Sequence, residues 1–257
     1  MFAIGEYLGD QMHIDIFCLF PEMFVSPFEQ SIIKRSQEKG IVEIVAHNIR
    51  DYTHDKHHTA DDYPYGGGAG MVLKPEPVFE AVEAVEQQLD IKDVPIILLT
   101  PAGRLFNQQI AQELAQHSHL ILICGHYEGI DGRVHEHLAT DEISIGDYVL
   151  SGGELAAMVV VDAMVRLIPG VLGSEVSLSS DSHVDGLLEY SQYTRPQEYR
   201  GWTVPSVLLS GNHQEIACWR RQQDILHTAI RRPDLLDKAN LSQEEKQWIF
   251  ENLLNLR

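Results

Sequence analysis

Cysteine is scarce in this chain, with three in 257 residues. The count is odd, and Cys18, Cys124 and Cys218 lie in or beside apolar runs, so a disulfide framework is excluded and all three read as buried structural thiols of a reducing, cytoplasmic compartment. Long apolar runs are missing too. The best candidate, Leu155 to Ile168, is interrupted by Asp162 and Arg166, short of the roughly 18 to 20 apolar residues of a membrane span. Basic residues are outnumbered, 19 against 38 acids, for a net charge of -19. That balance argues against a nonspecific nucleic-acid coat, whose affinity comes from Lys and Arg releasing counterions. Neither G-x-G-x-x-G nor G-x-x-x-x-G-K-[ST] occurs, which removes the two common nucleotide loops. Residues 1 to 11 hold acids but no Lys or Arg, unlike a signal peptide.

What is present suits one large or two modest domains with a sizeable core. HIDIFCLF and IVEIVAH read as strands with a helix, Pro27 to Lys39, between them and stopped by Gly40. Pro75 to Gln88 reads as a helix, PIILLT as a strand, Phe106 to His117 as a helix, and HLILIC as a central strand apolar on both faces. The class is therefore α/β with a mainly parallel sheet over residues 12–173. Residues 174–191 turn polar and read as a linker or mobile loop. Residues 192–257 are helical in pattern: Ile216 to Ile230 is amphipathic, and Ser242 with Glu245 forms an S-x-x-E capping box. Charge is uneven, with 26 acids against 10 bases in residues 1–173 but six Arg against three acids from Arg195 to Arg232. A local basic strip of that kind serves a selective contact on an acidic body.

The densest information lies between Leu120 and Gly173. Three β-like runs empty into glycine turns, at Gly125 and Gly129, at Gly146, and at Gly152 with Gly153, where a long helix opens. Bare backbone amides and carbonyls clustered at strand ends hold a small ligand by its main chain.

The strings DDYPYGGGAGM, CGHYEGIDGR, SIGDYVLSGGELAAMV, RLIPGVLG, YTRP, VPSVLLSGNH and WRRQQ, in that order, resemble those of bacterial tRNA guanine-N(1)-methyltransferases of the knotted SPOUT class, the TrmD family. The likeness runs from about Met12 to the C-terminus, which makes residues 1–11 an untranslated or disordered extension. It implies a C-terminal trefoil knot in the first domain, which pattern alone would never suggest. It further implies a small helical tRNA-contacting second domain and a homodimer in which the cofactor pocket of one subunit meets Asp181 and the second domain of the other. The implied reaction moves the methyl group of S-adenosylmethionine to N1 of the guanosine immediately 3′ of the anticodon, with the tRNA anticodon stem-loop as partner, and not DNA or membrane. Relatives are described as magnesium-dependent, although the sequence contains no dedicated Mg2+ cage.

By the same resemblance, the cofactor is held by Leu98, Leu99, Thr100 and Pro101, by Gly125, Tyr127, Glu128 and Gly129, and by Ser144, Ile145, Gly146, Tyr148, Leu150, Gly152 and Gly153. Tyr127, Ile145, Tyr148 and Leu150 suit the walls of an adenine slot, and Glu128 the sulfonium or hydroxyls. Guanine N1 carries a proton at neutral pH, so transfer needs a base; Asp181 matches the general base of the family and becomes more basic when docking RNA desolvates it. Arg166 matches the arginine that stabilises charge on guanine O6; alone, it would read as an i,i+4 partner of Asp162. Substrate contacts fall on His58, Asp62, Gly67, Gly68, Ser182, Arg195 and Arg220. Arg195, Arg200, Arg220 and Arg221 interleave with Tyr193, Tyr199, Trp202 and Trp219, a mixture suited to phosphate and unpaired bases or to a small core under snorkelling arginines.

His54, His57, His58, Asp61 and Asp62 invite a metal reading, but no helix repeat or Cys partner accompanies them, and the similar string of the family implies a structural, RNA-contacting loop with no metal assigned. Two departures from many relatives stand out: His126 in place of Arg, and Gly132 in place of an acid or amide. His183 likewise replaces a frequent Phe. A noncatalytic RNA-binding protein and a metal-dependent hydrolase are the alternatives; loss of turnover with retained tRNA binding in Asp181→Ala, and bound zinc, would respectively set them apart.

Overall fold

The computed structural model describes residues 11–91, 93–172 and 181–254. The chain divides into two units, Met1–Gly173 and Ser174–Arg257.

The first unit is a five-stranded parallel sheet of β1 (Met12–Cys18), β2 (Val42–Asn48), β5 (Ile96–Leu105), β6 (His119–Cys124) and β7 (Asp141–Ser144). Its order is β2-β1-β6-β5-β7. Every residue of β6 is buried, as its two-faced apolar run requires of a central parallel strand. Alternate residues feed two cores. Ile14, Ile16, Leu120, Leu122 and Ile97 face α1 (Val25–Phe28), α2 (Ser31–Glu38), α4 (Gln108–Leu114) and α6 (Glu154–Val165). Phe17, Ile121, Ile123 and Leu98 face α3 (Pro75–Leu89) and α5 (Gly132–His137). A two-stranded ladder, β3 (Asp61–Asp62) with β4 (Val72–Leu73), stands beside this sheet.

Three differences from the sequence reading have local causes. The helix expected over Pro27 to Lys39 is two pieces, because Gln30 is extended and Ser31 takes a positive φ of 53°. β5 runs past PIILLT to Leu105, with an irregularity after Leu99. Cys18 and Cys124 are buried, but Cys218 is exposed: it lies two turns before Ile225 on the same helix, and burial on that helix is confined to Ile225 and Thr228 among the described residues.

In the second unit, α7 (His213–Arg231) is followed by α8 (Pro233–Leu236) and α9 (Gln243–Leu254), with β8 (Glu198–Tyr199) and β9 (Trp202–Thr203) forming a short antiparallel pair. The capping box forms reciprocally: Glu245 N–H donates to Ser242 Oγ at 3.1 Å and Ser242 N–H donates to Glu245 Oε2 at 2.7 Å. Of the stretch read as a linker, residues 174–180 lie outside the described residues. Leu188 and Tyr190, at its far end, are hydrogen-bonded to α7.

Candidate active site

In an open parallel sheet, ligands collect outside the carboxyl ends of the strands, where loops diverge. Here β5, β6 and β7 end around a cavity of about 360 Å3, within the roughly 300–1,000 Å3 range of small-molecule sites. Every residue assigned to the cofactor from sequence lines it: Leu98 to Pro101, Gly125, Tyr127 to Gly129, Ser144 to Gly146, Tyr148, Leu150, Gly152 and Gly153. His126, Ile130, His135, Ile143, Val149, Ser151 and Ala156 line it too and were not assigned. They sit inside the loops already singled out, or on β7, α5 and α6 beside them, so their position relative to the glycines was the available signal.

Each wall has a physical cause. After Leu99, β5 leaves its partner and rejoins β7 only at Arg104, so Thr100 to Gly103 bow out beside the cavity. Gly103 lets the chain return: a Cβ there would stand 2.4 Å from the backbone of Glu142 and Ile143. Arg104 fastens the return, with Nη2 at 2.7 Å from Asp141 and 2.8 Å from Glu113. These partners hold its guanidinium above the ordinary range, and Glu113 below its own.

The loop after β6 turns tightly, with Tyr127 at φ 60° and Gly129 N–H donating to His126 O. It is stitched to β4 by Glu128 N–H to Met71 O and Leu73 N–H to Gly129 O, both 3.0 Å. Gly70, at φ 87°, lies under the Glu128 side chain, where a Cβ would approach Cγ to 2.5 Å. The YGGGAGM segment and the loop after β6 are thus one assembly. In the third loop the Tyr148 ring folds over Gly146, and its hydroxyl donates to Ile145 O at 3.2 Å. Gly153 N–H then donates to Gly125 O at 2.8 Å, joining the second loop to the third where α6 begins.

Beneath this junction lies Glu154, 1 % exposed at the first position of α6. A carboxylate is favoured there by the helix dipole. Its nearest cation-forming neighbour, His126 Nδ1, is 3.6 Å away, beyond hydrogen-bond length, and both Glu154 Oε1 and His126 Nδ1 are buried without a hydrogen-bond partner among the described residues. Burial, with Glu154 nearby, pushes the Cys18 thiol up to about 12 and Cys124 well above its usual value. Neither thiol is poised as a nucleophile.

The substrate set is spread over both units. His58, at φ 51°, has Nδ1 at 3.2 Å from Thr53 Oγ1 and 3.1 Å from Arg50 O. Asp62 accepts from Tyr63 N–H, and Gly67 and Gly68 have positive φ at the exposed tip between β3 and β4, where Tyr63 and Tyr65 project into solvent. Asp55 organises the His-rich loop by accepting from His57 N, Thr59 N and Thr59 Oγ1. Among the described residues, no group of three or more His, Cys, Asp or Glu is arranged to hold a metal ion. In the second unit, Asp181, Arg220 and Arg221 line one cavity of about 430 Å3, and Arg195 and Arg220 line a neighbouring one of about 500 Å3. Ser182 Oγ accepts from Glu189 N–H, and Arg220 lies 5.0 Å from the Tyr190 ring centre. Tyr193, Tyr199 and Trp202 are largely exposed, whereas Trp219 packs near Tyr190 and Tyr193.

Arg166 stands apart from the first-unit cavity. It is the half-buried C-cap of α6, ten residues, or about 15 Å along the helix, beyond Ala156 at the cavity wall.

Comparison with known proteins bears on this arrangement. A family model described as tRNA (Guanine-1)-methyltransferase TrmD matches residues 12–238. A protein of Dehalococcoides mccartyi named tRNA (guanine-N(1)-)-methyltransferase is 63% identical over 242 residues, covering 94% of this chain and 97% of that protein. Proteins of the same name from Dictyoglomus turgidum and Geobacillus kaustophilus are 55% and 57% identical, over 96% and 93% of this chain and 98% of each relative.

Proposed function

Because the chain belongs to the tRNA (guanine-1)-methyltransferase family, we propose that the first-unit cavity binds S-adenosylmethionine and that the methyl group goes to N1 of the guanosine immediately 3′ of the anticodon. The observation carrying this reading is the convergence of all three glycine turns, with the bowed Thr100 to Gly103, on one cavity at the strand ends. The residues present fit an adenosine: main-chain groups of Gly125, Gly146 and Gly152 border the space without side chains, and Tyr148, Ile145 and Leu150 supply apolar walls. The cosubstrate supplies an electrophilic methyl on a sulfonium, and the exposed Glu128 carboxylate is the anionic group on the cavity wall that suits that charge.

Chemistry at the acceptor rests on two residues. Asp181 accepts the N1 proton as the methyl arrives, and Arg166 stabilises the negative charge that spreads to O6. No step is assigned to magnesium. A second copy of the chain completes the site. Two observations support it: Arg166 lies ten residues along α6 beyond Ala156, the helix's contact with the cavity of its own protomer, and α6 turns Leu155 and Val159 outward at 45% and 46% exposure, an apolar stripe suited to another protomer. The family's knot belongs with this reading, as the threading that brings the third loop against the second. The second unit contributes Arg195 and Arg220 to the anticodon stem-loop, within its Arg-rich strip. Among the described residues, no helix is long and apolar enough to cross a membrane.

Asp181→Ala tests the assignment. Turnover falls by at least about a hundredfold, as for loss of a general base, while tRNA binding persists; unchanged turnover would remove Asp181 from the mechanism.

A further inference from the structure

Asp224 is a half-buried titratable group that the chemistry above leaves without a role. It sits on α7 one turn after Arg220 and lines the same second-unit cavity as Asp181. Its Oδ1 accepts from Tyr190 N–H at 2.6 Å. One turn further along the helix, Thr228 Oγ1 accepts from Leu188 N–H at 2.8 Å and donates to the Asp224 carbonyl at 2.6 Å. Between them, His227 Nδ1 lies 3.3 Å from Glu189 O. Residues 224, 227 and 228 share a helix face by their spacing, so α7 presents a ledge that grips three consecutive backbone units, Leu188 to Tyr190. Arg220 adds a cation over the Tyr190 ring.

The gripped segment in turn holds the Asp181 turn. Glu189 N–H donates to Ser182 Oγ at 2.9 Å, and His183 N–H donates to Leu187 O at 2.7 Å. The reversal between them is tight: Val184 N–H reaches Asp181 O, and Gly186, at φ 77°, backs onto Ala239 with only 3.2 Å for a Cβ. A displacement of Tyr190 from α7 is therefore transmitted through Glu189 and Ser182 to the residue beside it, Asp181.

We propose that Asp224 is a positioning residue for Asp181, acting through the Leu188–Tyr190 segment that it and Thr228 fasten to α7. The proposal rests on the reading of Asp181 as the base. Its charge environment agrees with a structural task taken on at a cost: burial pushes the Asp224 carboxyl up to about 6, against the pull of the Tyr190 N–H, Arg221 and His227, and with Glu189 adding to the rise. A carboxylate kept in such surroundings does more than a solvated helix acid would.

The test uses the full chain with an unmodified tRNA transcript. In Asp224→Ala the kcat falls roughly tenfold or more, the loss expected when a charge-assisted hydrogen bond is removed. Hydrogen exchange at the amides of residues 188–190 accelerates, while the affinity for S-adenosylhomocysteine stays within about twofold. Asp224→Asn keeps an oxygen that can accept from Tyr190 N–H, and recovers most of the lost kcat. The proposal is overturned if Asp224→Ala retains wild-type kcat, if its exchange at 188–190 is unchanged, or if Asn is as impaired as Ala. Should Asp224→Ala not fold, Thr228→Val, which removes the hydroxyl's bonds to Leu188 N–H and to the Asp224 carbonyl but leaves the Asp224 carboxyl in place, is judged by the same readouts. Wild-type turnover in Asp181→Ala would instead overturn the base assignment, and the exchange data would still decide whether Asp224 holds the segment.

Discussion

Gly153→Ala isolates the close approach that joins two of the cavity loops. Gly153 has φ -78°, so alanine meets no backbone strain there. The obstacle is packing alone: an added Cβ would lie 2.7 Å from Cys124 Cα, 3.0 Å from its Cβ and 3.1 Å from Gly125 N. Two of those three atoms are backbone in the central strand and its exit, buried on both sides, and cannot rotate away. Relief requires α6 to retreat from β6, which stretches the 2.8 Å bond from Gly153 N–H to Gly125 O and spreads the cavity wall. Overpacking of this kind costs about 1–3 kcal/mol. If the displacement falls on the loops, the dissociation constant for S-adenosylmethionine rises roughly 5- to 150-fold. Gly129→Ala is the matched control, because its site is sterically open but has φ 125°, so it reports strain without collision. Titration calorimetry with S-adenosylhomocysteine measures both. Affinity within twofold of wild type in Gly153→Ala, together with an unchanged melting temperature, would refute the claim that this contact shapes the site.

Three further outcomes follow from named contacts. The Asp15 carboxylate is buried between His119 and His47; the cost of burial is outweighed by their hydrogen bonds, leaving it at about 2 against an ordinary 3.8. A depressed carboxylate stabilises the fold above its unfolded value and loses that contribution as pH falls through its folded one, so the stability gap between wild type and Asp15→Asn, about 2 kcal/mol, persists from pH 5 upward and closes between pH 4 and 2 in urea titrations. His126→Arg supplies a guanidinium long enough to reach Glu154, whose Oε1 lacks a hydrogen-bond partner; filling that unmet hydrogen bond raises stability by about 1–3 kcal/mol, read as a higher melting temperature, and an unchanged or lower one would mean the pair is not short of a partner. Gly132 opens α5 with no atom near its would-be Cβ and without positive φ, so Gly132→Ala stabilises by about 0.5–1 kcal/mol and leaves activity unchanged, whereas a loss of methylation would assign that glycine a functional role.

Much of this was legible from local pattern. HLILIC announces a strand buried on both faces, and the glycines following it and following Ile143 to Ile145 mark loops that do meet at one cavity, because a parallel sheet sends all its carboxyl ends the same way. Contacts between distant residues were not legible. Nothing in YGGGAGM says that Gly70 must lie beneath Glu128, and nothing in CGHYEG says that His126 will fall short of Glu154. β5 was read only over PIILLT, because its apolar run ends at Thr100, although the strand merely bows after Leu99 and resumes under the grip of Asp141 and Glu113 on Arg104. Cys218 shows the opposite failure, where apolar neighbours in sequence were read as burial although the helix turns its thiol outward. The Leu188 to Tyr190 segment lacks either period because its order comes from α7 side chains some forty residues onward.

The most direct test of the account is product mapping. Transcripts with and without guanosine immediately 3′ of the anticodon are incubated with isotopically labelled S-adenosylmethionine, and the labelled nucleoside is located by mass spectrometry. Label is expected on guanine N1 at that site in the first transcript and none in the second. Label at another base or ring position, or cofactor binding without transfer by a well-folded protein, would contradict it.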